Sequence, residues 1–450
     1  MKFFRICLIF ALVFSALPVF GHGGREAEIV DGTYPPGTML LYGYGQPQYW
    51  LQFFTNYLED NPNVGPGVRI QMVQTEGEAD ARQKAQMSFT AGAYSEMPDA
   101  VQTSPVSMQV MAEGGMLEDL TDFIRPMQDL FIPGTFDQVT YKGRIYGLPE
   151  SLRPQLLFYN LDLFQEYGVD PEMMDTVEGY IEAGRLLKER SDGEVYLSYV
   201  DPGSFTWRYY GRRGFMPQAN AKIWDDDGNV VIDTDQGARR AFETIATLME
   251  EELLLEVNMF SPPLYEATRN GKIATYYMGA FWDEFMRANL QDMSGSWRAM
   301  PAPVYCDIGL RGAPVIGLYS ITKKPGSVYG ELYKEIWTDY HFNPESRKRW
   351  TDRMADQNAP YFVPITLEML DDPYWRESSS FYGGQSFREM EIIGLSGSAE
   401  NMRVTKDDAE ADMLISAELE LYIAGDQTME QAISNMGKVL RLQIGSTDPK

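Results

Sequence analysis

Trp282 is followed directly by Asp283 and Glu284, and the apolar run 273–278 delivers all three to a strand end. Trp207 is followed by Arg208, Arg212 and Arg213 in a chain that is otherwise strongly acidic. Tyr44, Gln46, Tyr49 and Trp50 cluster just past a short apolar run, 38–42, and Glu76 lies just past another, 68–74. Glu150 and Arg153 sit in a polar crossing beside Pro149 and Pro154, and Arg311 sits in a glycine-rich passage, 309–314. Aromatic rings bury flat apolar faces, and charged or amide side chains hydrogen-bond hydroxyls. Together these residues are equipment for holding a polar molecule. Each has an ordinary alternative: Trp50 and Trp282 as core rings, the charged residues as solvated surface.

Catalysis finds less support. The only histidines are His22 and His341, so neither a Ser-His-Asp set nor a Cys/His zinc site can be assembled. Asp and Glu are plentiful, but no pair stands at a spacing that marks glycoside hydrolysis, which is kept as the rival activity. The acids 225–227 lack the alternate spacing and closing Glu of a calcium loop and fit a turn at Asp227-Gly228. No phosphate-cradling G-x-x-x-x-G-K-[ST] motif occurs. No metal or cofactor is therefore expected. A formal net charge of −27 repels phosphate backbones, so nucleic acid is not expected as a partner.

Residues 1–21 have the layout of a cleavable export signal: Lys2 and Arg5, then the apolar run 6–20, with Val19 and Gly21 at the small-residue positions. The alternative is a retained anchor. Residues 22–37, rich in Gly and Pro, are expected to be a flexible leader. Cys7 leaves with the signal and Cys306 remains alone, so no internal disulfide is expected. No lipid-attachment cysteine follows the signal. A soluble, monomeric, exported protein is the expectation.

The elements that must position the candidates follow an α/β rhythm. Strands are expected at 38–42, 68–74 and 98–104, with helices between and after them, which predicts a parallel sheet covered on both faces. In such sheets ligands gather outside the carboxyl ends of the strands. Pro149 and Pro154 break residues 141–167 into strand, polar crossing and strand, with Asn160 capping the next helix. That crossing is read as one cord of a hinge between two lobes, or else as an ordinary loop. Residues 261–263 and the strand 315–322 are candidates for further cords. A long amphipathic helix is expected from 236 to 257, and Thr428 with Gln431 forms a capping box near the end.

The order of several short segments resembles the extracellular solute-binding proteins of carbohydrate ABC importers, the maltose-binding type. They are Ala91-Gly92-Ala93-Tyr94-Ser95-Glu96-Met97-Pro98-Asp99, Gly114-Gly115-Met116-Leu117-Glu118-Asp119-Leu120 and Tyr141-Lys142-Gly143-Arg144-Ile145-Tyr146-Gly147-Leu148-Pro149 with Phe158-Tyr159-Asn160. Further on come Asn270-Gly271-Lys272-Ile273-Ala274, Gly279-Ala280-Phe281-Trp282 and Pro301-Ala302-Pro303. The resemblance spans residues 38–445. It implies the periplasmic-binding-protein type II fold: two α/β lobes, crossing segments as a hinge, and a ligand cleft between the lobes. It implies a sugar or oligosaccharide ligand, a membrane permease with a separate ATPase chain as partner, and a periplasmic location. It implies sugar-stacking aromatics near Trp282 and near Ser204-Phe205-Thr206-Trp207. The expected lobes are 38–148 with 265–312, and 149–264 with 313–450. On that reading Trp282 and Trp207 are platforms, supported by Tyr44 and Trp50. Glu76, Glu150, Arg153, Asp283 and Arg311 are the polar candidates. The arginines beside Trp207 fit either an acidic sugar or lobe-surface salt bridges. A binding protein for a non-sugar solute is the further alternative.

Overall fold

Pro154 is the point where the chain changes sheets. In the computed structural model, which describes residues 28–45, 48–355, 365–371, 373–400 and 402–449, twelve strands are laid down in sequence. They begin with β1 (Gly37–Gly43), β2 (Val68–Gln74) and β3 (Ala100–Thr103). A small hairpin follows, β4 (Thr140–Tyr141) with β5 (Arg144–Ile145). Then come β6 (Leu148–Arg153), β7 (Gln155–Asn160), β8 (Ser198–Val200) and β9 (Leu254–Glu256). The last are β10 (Thr275–Gly279), β11 (Trp297–Pro301) and β12 (Val315–Ile321).

The first lobe is built on the sheet β2-β1-β3-β12-β6. β1 runs parallel to β2 and β3, as the strand–helix rhythm predicts. β12 enters antiparallel between β3 and β6. The second lobe is built on β10-β7-β11, all antiparallel. The parallel pair β8–β9 extends it, because Thr275 and Ala274 donate backbone hydrogen bonds to Leu197 and Tyr196. One core packs around Met39, Leu41, Val101, Leu318 and Trp337 in the first lobe. Two more, around Leu157 with Phe242 and around Phe158 with Trp282, pack on the second. Helix Asp408–Ile423 and helix Met429–Gln443 close the second lobe through Ile415, Leu419, Ile433 and Leu440.

The expected crossing at Pro154 is present: β6 belongs to one sheet and β7 to the other. Asn160 caps the following helix by accepting from Asp162 N at 3.1 Å, and the Thr428–Gln431 capping box forms. The lobe boundaries differ from the sequence-based partition. Residues 265–312 supply β10 and β11 to the second lobe, while β12 lies in the first sheet and Trp375 in the first core. Strand pairing over such distances leaves no local trace, so periodicity places a strand but not its sheet. The cords differ too. Residues 261–263 start the helix Pro262–Arg269, whose Leu264 and Tyr265 lie in a second-lobe core. The chain returns instead at residues 312–314, before β12. It crosses a third time between Trp375, in the first core, and Phe381, in the second. At the return crossing a Cβ on Gly312 would meet Gln155 Cβ at 2.8 Å, so the backbone passes where a side chain has no room. Among the described residues, no helix is long and apolar enough to cross a membrane.

Candidate functional site

The second lobe's share of the cleft is a π-helix, Trp207–Phe215. Such wide turns are uncommon and cluster at functional sites. This one is pinned at its start: Thr206 Oγ1 donates to Asp201 O at 2.8 Å, and Asp201 accepts from Met259 N at 2.6 Å. Gly211 makes room for Trp207, since a Cβ there would stand 2.4 Å from the indole Cε3. The indole stacks on Phe242, with ring centres 6.0 Å apart, and its Nε1 donates to Asp412 Oδ1 at 2.8 Å. Arg212 pairs with Asp412 at 2.8 Å and with Asp408 at 2.5 Å. Helix Asp408–Ile423 thereby clamps the π-helix from behind. Burial raises the Asp412 carboxyl above its ordinary range, and Arg212 pulls it back down.

The first lobe answers with the ends of β2 and β3, as the carboxyl-end rule requires. Helix Glu78–Thr90 follows β2 and presents Glu78 and Arg82. Helix Pro105–Glu113 follows β3, with Ser104 as its cap. Glu78 Oε1 accepts from the hydroxyl of Ser104 and from that of Ser107, the latter at 2.8 Å. Between these walls lies a cleft of about 250 Å³, roofed by the start of β12 and floored by Met402, Val404 and Met413. Both lobes and a crossing segment therefore line one space.

The structure sorts the predicted residues. Trp207 lines the cleft, although almost all of its ring is buried. Tyr44 stands beside it. Burial, and then Glu78, push its hydroxyl well above the usual phenol range, against the pull of Arg213 and Arg208. The side chain of Trp50 lies outside the described residues, as does Gln46. Glu76 is exposed and donates its amide to Asp80 at 3.0 Å; the carboxylate that reaches the cleft is Glu78, the first residue of the helix that follows.

Trp282 is no platform in this structure. It is 0% exposed and sits among Phe260, Tyr265, Tyr276 and Phe285. Asp283 is buried as well, accepting from Tyr382 Oη at 2.7 Å and pairing with Arg287 at 2.7 Å. Arg153 pairs with Glu284 at 2.6 Å across the hinge. Arg311 pairs with Asp175 at 3.0 Å within the second lobe. An aromatic–acid pair at a strand end reads the same whether the following helix turns it inward or outward, and here it turns inward.

Glu150 is buried in the first lobe, where Tyr333 Oη donates to it at 2.6 Å. Burial raises its pKa well above 4.5, so the folded state holds a proton that the unfolded chain releases. That preference stabilises the fold fully below the unfolded pKa and fades as pH rises toward the folded one. Glu150→Gln is thus expected to gain stability relative to the parent as pH rises above about 4.5. Urea unfolding at a series of pH values checks this; a difference that does not change with pH would refute it.

Missed at the sequence level were Glu78, Arg82, Ser107 and Asp412. The first three follow strand ends and were within reach of the same rule that picked Glu76. Asp412 comes from a helix some 200 residues away from its partner Arg212, and no local pattern marks it.

Comparison with known proteins agrees with this architecture. A family profile described as bacterial extracellular solute-binding protein matches residues 34–304. The arabinooligosaccharide-binding protein of Halalkalibacterium halodurans is 24% identical over 276 residues, 58% of this chain and 57% of that protein. The lactose-binding protein of Rhizobium radiobacter is 24% identical over 229 residues, 50% of this chain and 52% of that one. The chain thus spans little more than half the length of the curated relatives it matches. Two solved structures share the fold at low identity. The ABC transporter associated binding protein of B. animalis subsp. lactis, in complex with beta-1,6-galactobiose, superposes with a TM-score of 0.75 at 18% identity, over 92% of this chain and 100% of that one. The galacto-N-biose-/lacto-N-biose I-binding protein of Bifidobacterium longum gives 0.71 at 16% identity, over 93% and 99%. With the two-lobed fold, the three crossings found among the described residues and a profile match over more than half its length, this chain belongs to the bacterial extracellular solute-binding protein family.

Proposed function

We propose that this chain is the substrate-binding component of an ABC importer. It reversibly holds a sugar or oligosaccharide between its lobes and passes it to a membrane permease driven by a separate ATPase chain. The observation that carries the reading is the cleft walled by helices of both lobes. A ligand there touches Glu78 and Ser107 on one side and the π-helix on the other, so closure follows from contacts made only when both lobes meet it. The names of the relatives supply the ligand class. The basic–apolar segment 1–21 supports export to the periplasm.

Binding without turnover fits the two carboxylates that line the cleft. Asp412 is committed to Arg212 and Trp207, and Glu78 to two serine hydroxyls. A glycosidase needs one carboxyl as a proton donor and another as base or nucleophile.

A thermal-shift screen of arabino-, galacto- and gluco-oligosaccharides tests the reading. A sugar that binds only the folded chain adds about 2.7 kcal/mol at a hundredfold excess over Kd. Stabilisation by a peptide or polyamine, with none by any sugar, would reassign the substrate class. Steady release of shortened sugars would replace binding with hydrolysis.

A further inference from the structure

The cleft holds an imbalance of charge that its own side chains do not settle. Its lining includes the arginines 82, 208, 212 and 213 but only two acids, Glu78 and Asp412, in a chain of net charge −27. Arg212 is neutralised by Asp408 and Asp412. The other three are not matched in this way. Arg82 Nη1 donates to Gln86 at 3.2 Å, and its Nε is buried with no hydrogen-bond partner among the described residues. Arg208 lies over the Phe205 ring at 5.7 Å and Arg213 over the Tyr209 ring at 5.3 Å. Among the described residues, neither has a side-chain hydrogen bond or an ion pair. A guanidinium held over a ring keeps its N–H donors for another acceptor.

We propose that the sugar taken by this cleft is anionic, carrying a carboxylate or a sulfate that docks among Arg82, Arg208 and Arg213. The inference rests on the sugar-binding reading above and narrows it. Arginine only donates, and a neutral sugar's hydroxyls can accept from it, but without a compensating charge. A carboxylate or sulfate takes paired N–H donors and gains charge-assisted strength from each. The three arginines are only partly buried, and Glu78 and Asp412 act on Arg208 from a distance without pairing with it, so positive charge is left over for an anionic ligand. Arg82 stands on the first lobe and Arg208 and Arg213 on the second, so one oxyanion draws the two walls together. Glu78 sets the position of that group, because a ligand anion placed against its carboxylate would be repelled.

Calorimetric titration of the full mature chain tests this with matched pairs: an oligogalacturonide against its carboxyl-reduced neutral counterpart, and a sulfated galacto-disaccharide against the unsulfated one. The charged member of at least one pair is expected to bind about ten- to hundredfold tighter, from one or two charge-assisted hydrogen bonds. Which pair shows the preference decides between carboxylate and sulfate. The preference should shrink between about 50 and 500 mM salt. Arg208→Gln and Arg213→Gln should reduce it, and Arg208→Lys should retain part. Equal or tighter binding of both neutral members would overturn the proposal and leave the sugar-binding reading standing. Absence of binding by any sugar, charged or neutral, would remove both. The wild-type comparison needs no variant to fold.

Discussion

Trp282→Ala is expected to lower folding stability by about 3–5 kcal/mol, the cost of emptying a large buried aromatic site. The indole is 0% exposed and contacts four rings: Tyr276 at 5.2 Å, Phe260 and Phe285 at 5.5 Å, and Tyr265 at 6.2 Å between ring centres. Its Nε1 is buried with no hydrogen-bond partner among the described residues. Trp282→Phe is therefore expected to cost less, since it leaves a smaller void and removes an unsatisfied donor. Urea unfolding of the three proteins measures both effects. The increment of stability added by saturating sugar should be the same in Trp282→Ala as in the parent. If that increment vanished in a folded variant, the ring would be touching ligand rather than filling a core.

Arg153→Met is expected to cost a similar amount, about 3–5 kcal/mol, because it strands a buried carboxylate. Arg153 ends β6 in the first lobe, and Glu284 lies beyond β10 in the second; their side chains are 10% and 14% exposed. Burial lifts the Glu284 pKa and Arg153 opposes the lift. The pair borders a second buried group of charges, in which Asp283 meets Arg287 and Arg388, and Arg388 meets Glu391 at 2.7 Å. Replacing both partners, Arg153→Met with Glu284→Leu, should restore most of the loss, because no uncompensated charge is then left inside. Equal destabilisation of the single and double variants would mean that Arg153 acts through contacts other than Glu284.

Much of the scaffold is written locally. The apolar runs before Tyr44 and Glu76 became β1 and β2, Asn160 became a cap, and Pro154 marks a change of sheet. Each depends on a few neighbouring residues whose backbone preferences are strong. The site was legible only in part. Trp207 and its arginines were visible as a basic patch around a ring, and the structure places them in the cleft. Trp282 with Asp283 carried the same kind of signal and went to the core. Whether a ring at a strand end faces a groove or a core depends on what packs against it. Here Phe260 and Phe285, brought from either side in sequence, enclose it. The same reason hid the destination of β12, which pairs with β3 across more than 200 residues of chain.

Neither lobe is a continuous piece of polypeptide. The first sheet takes β12 from beyond the whole of β7–β11, and the second lobe takes its closing helices from the C-terminal end. A protease that nicks the chain beside Pro154 severs one tether and leaves those at residues 312–314 and between Trp375 and Phe381. The two lobes would stay attached. Nor could either be expressed alone by trimming at a single point, because each truncation removes strands or helices that the remaining half needs to fill its interior.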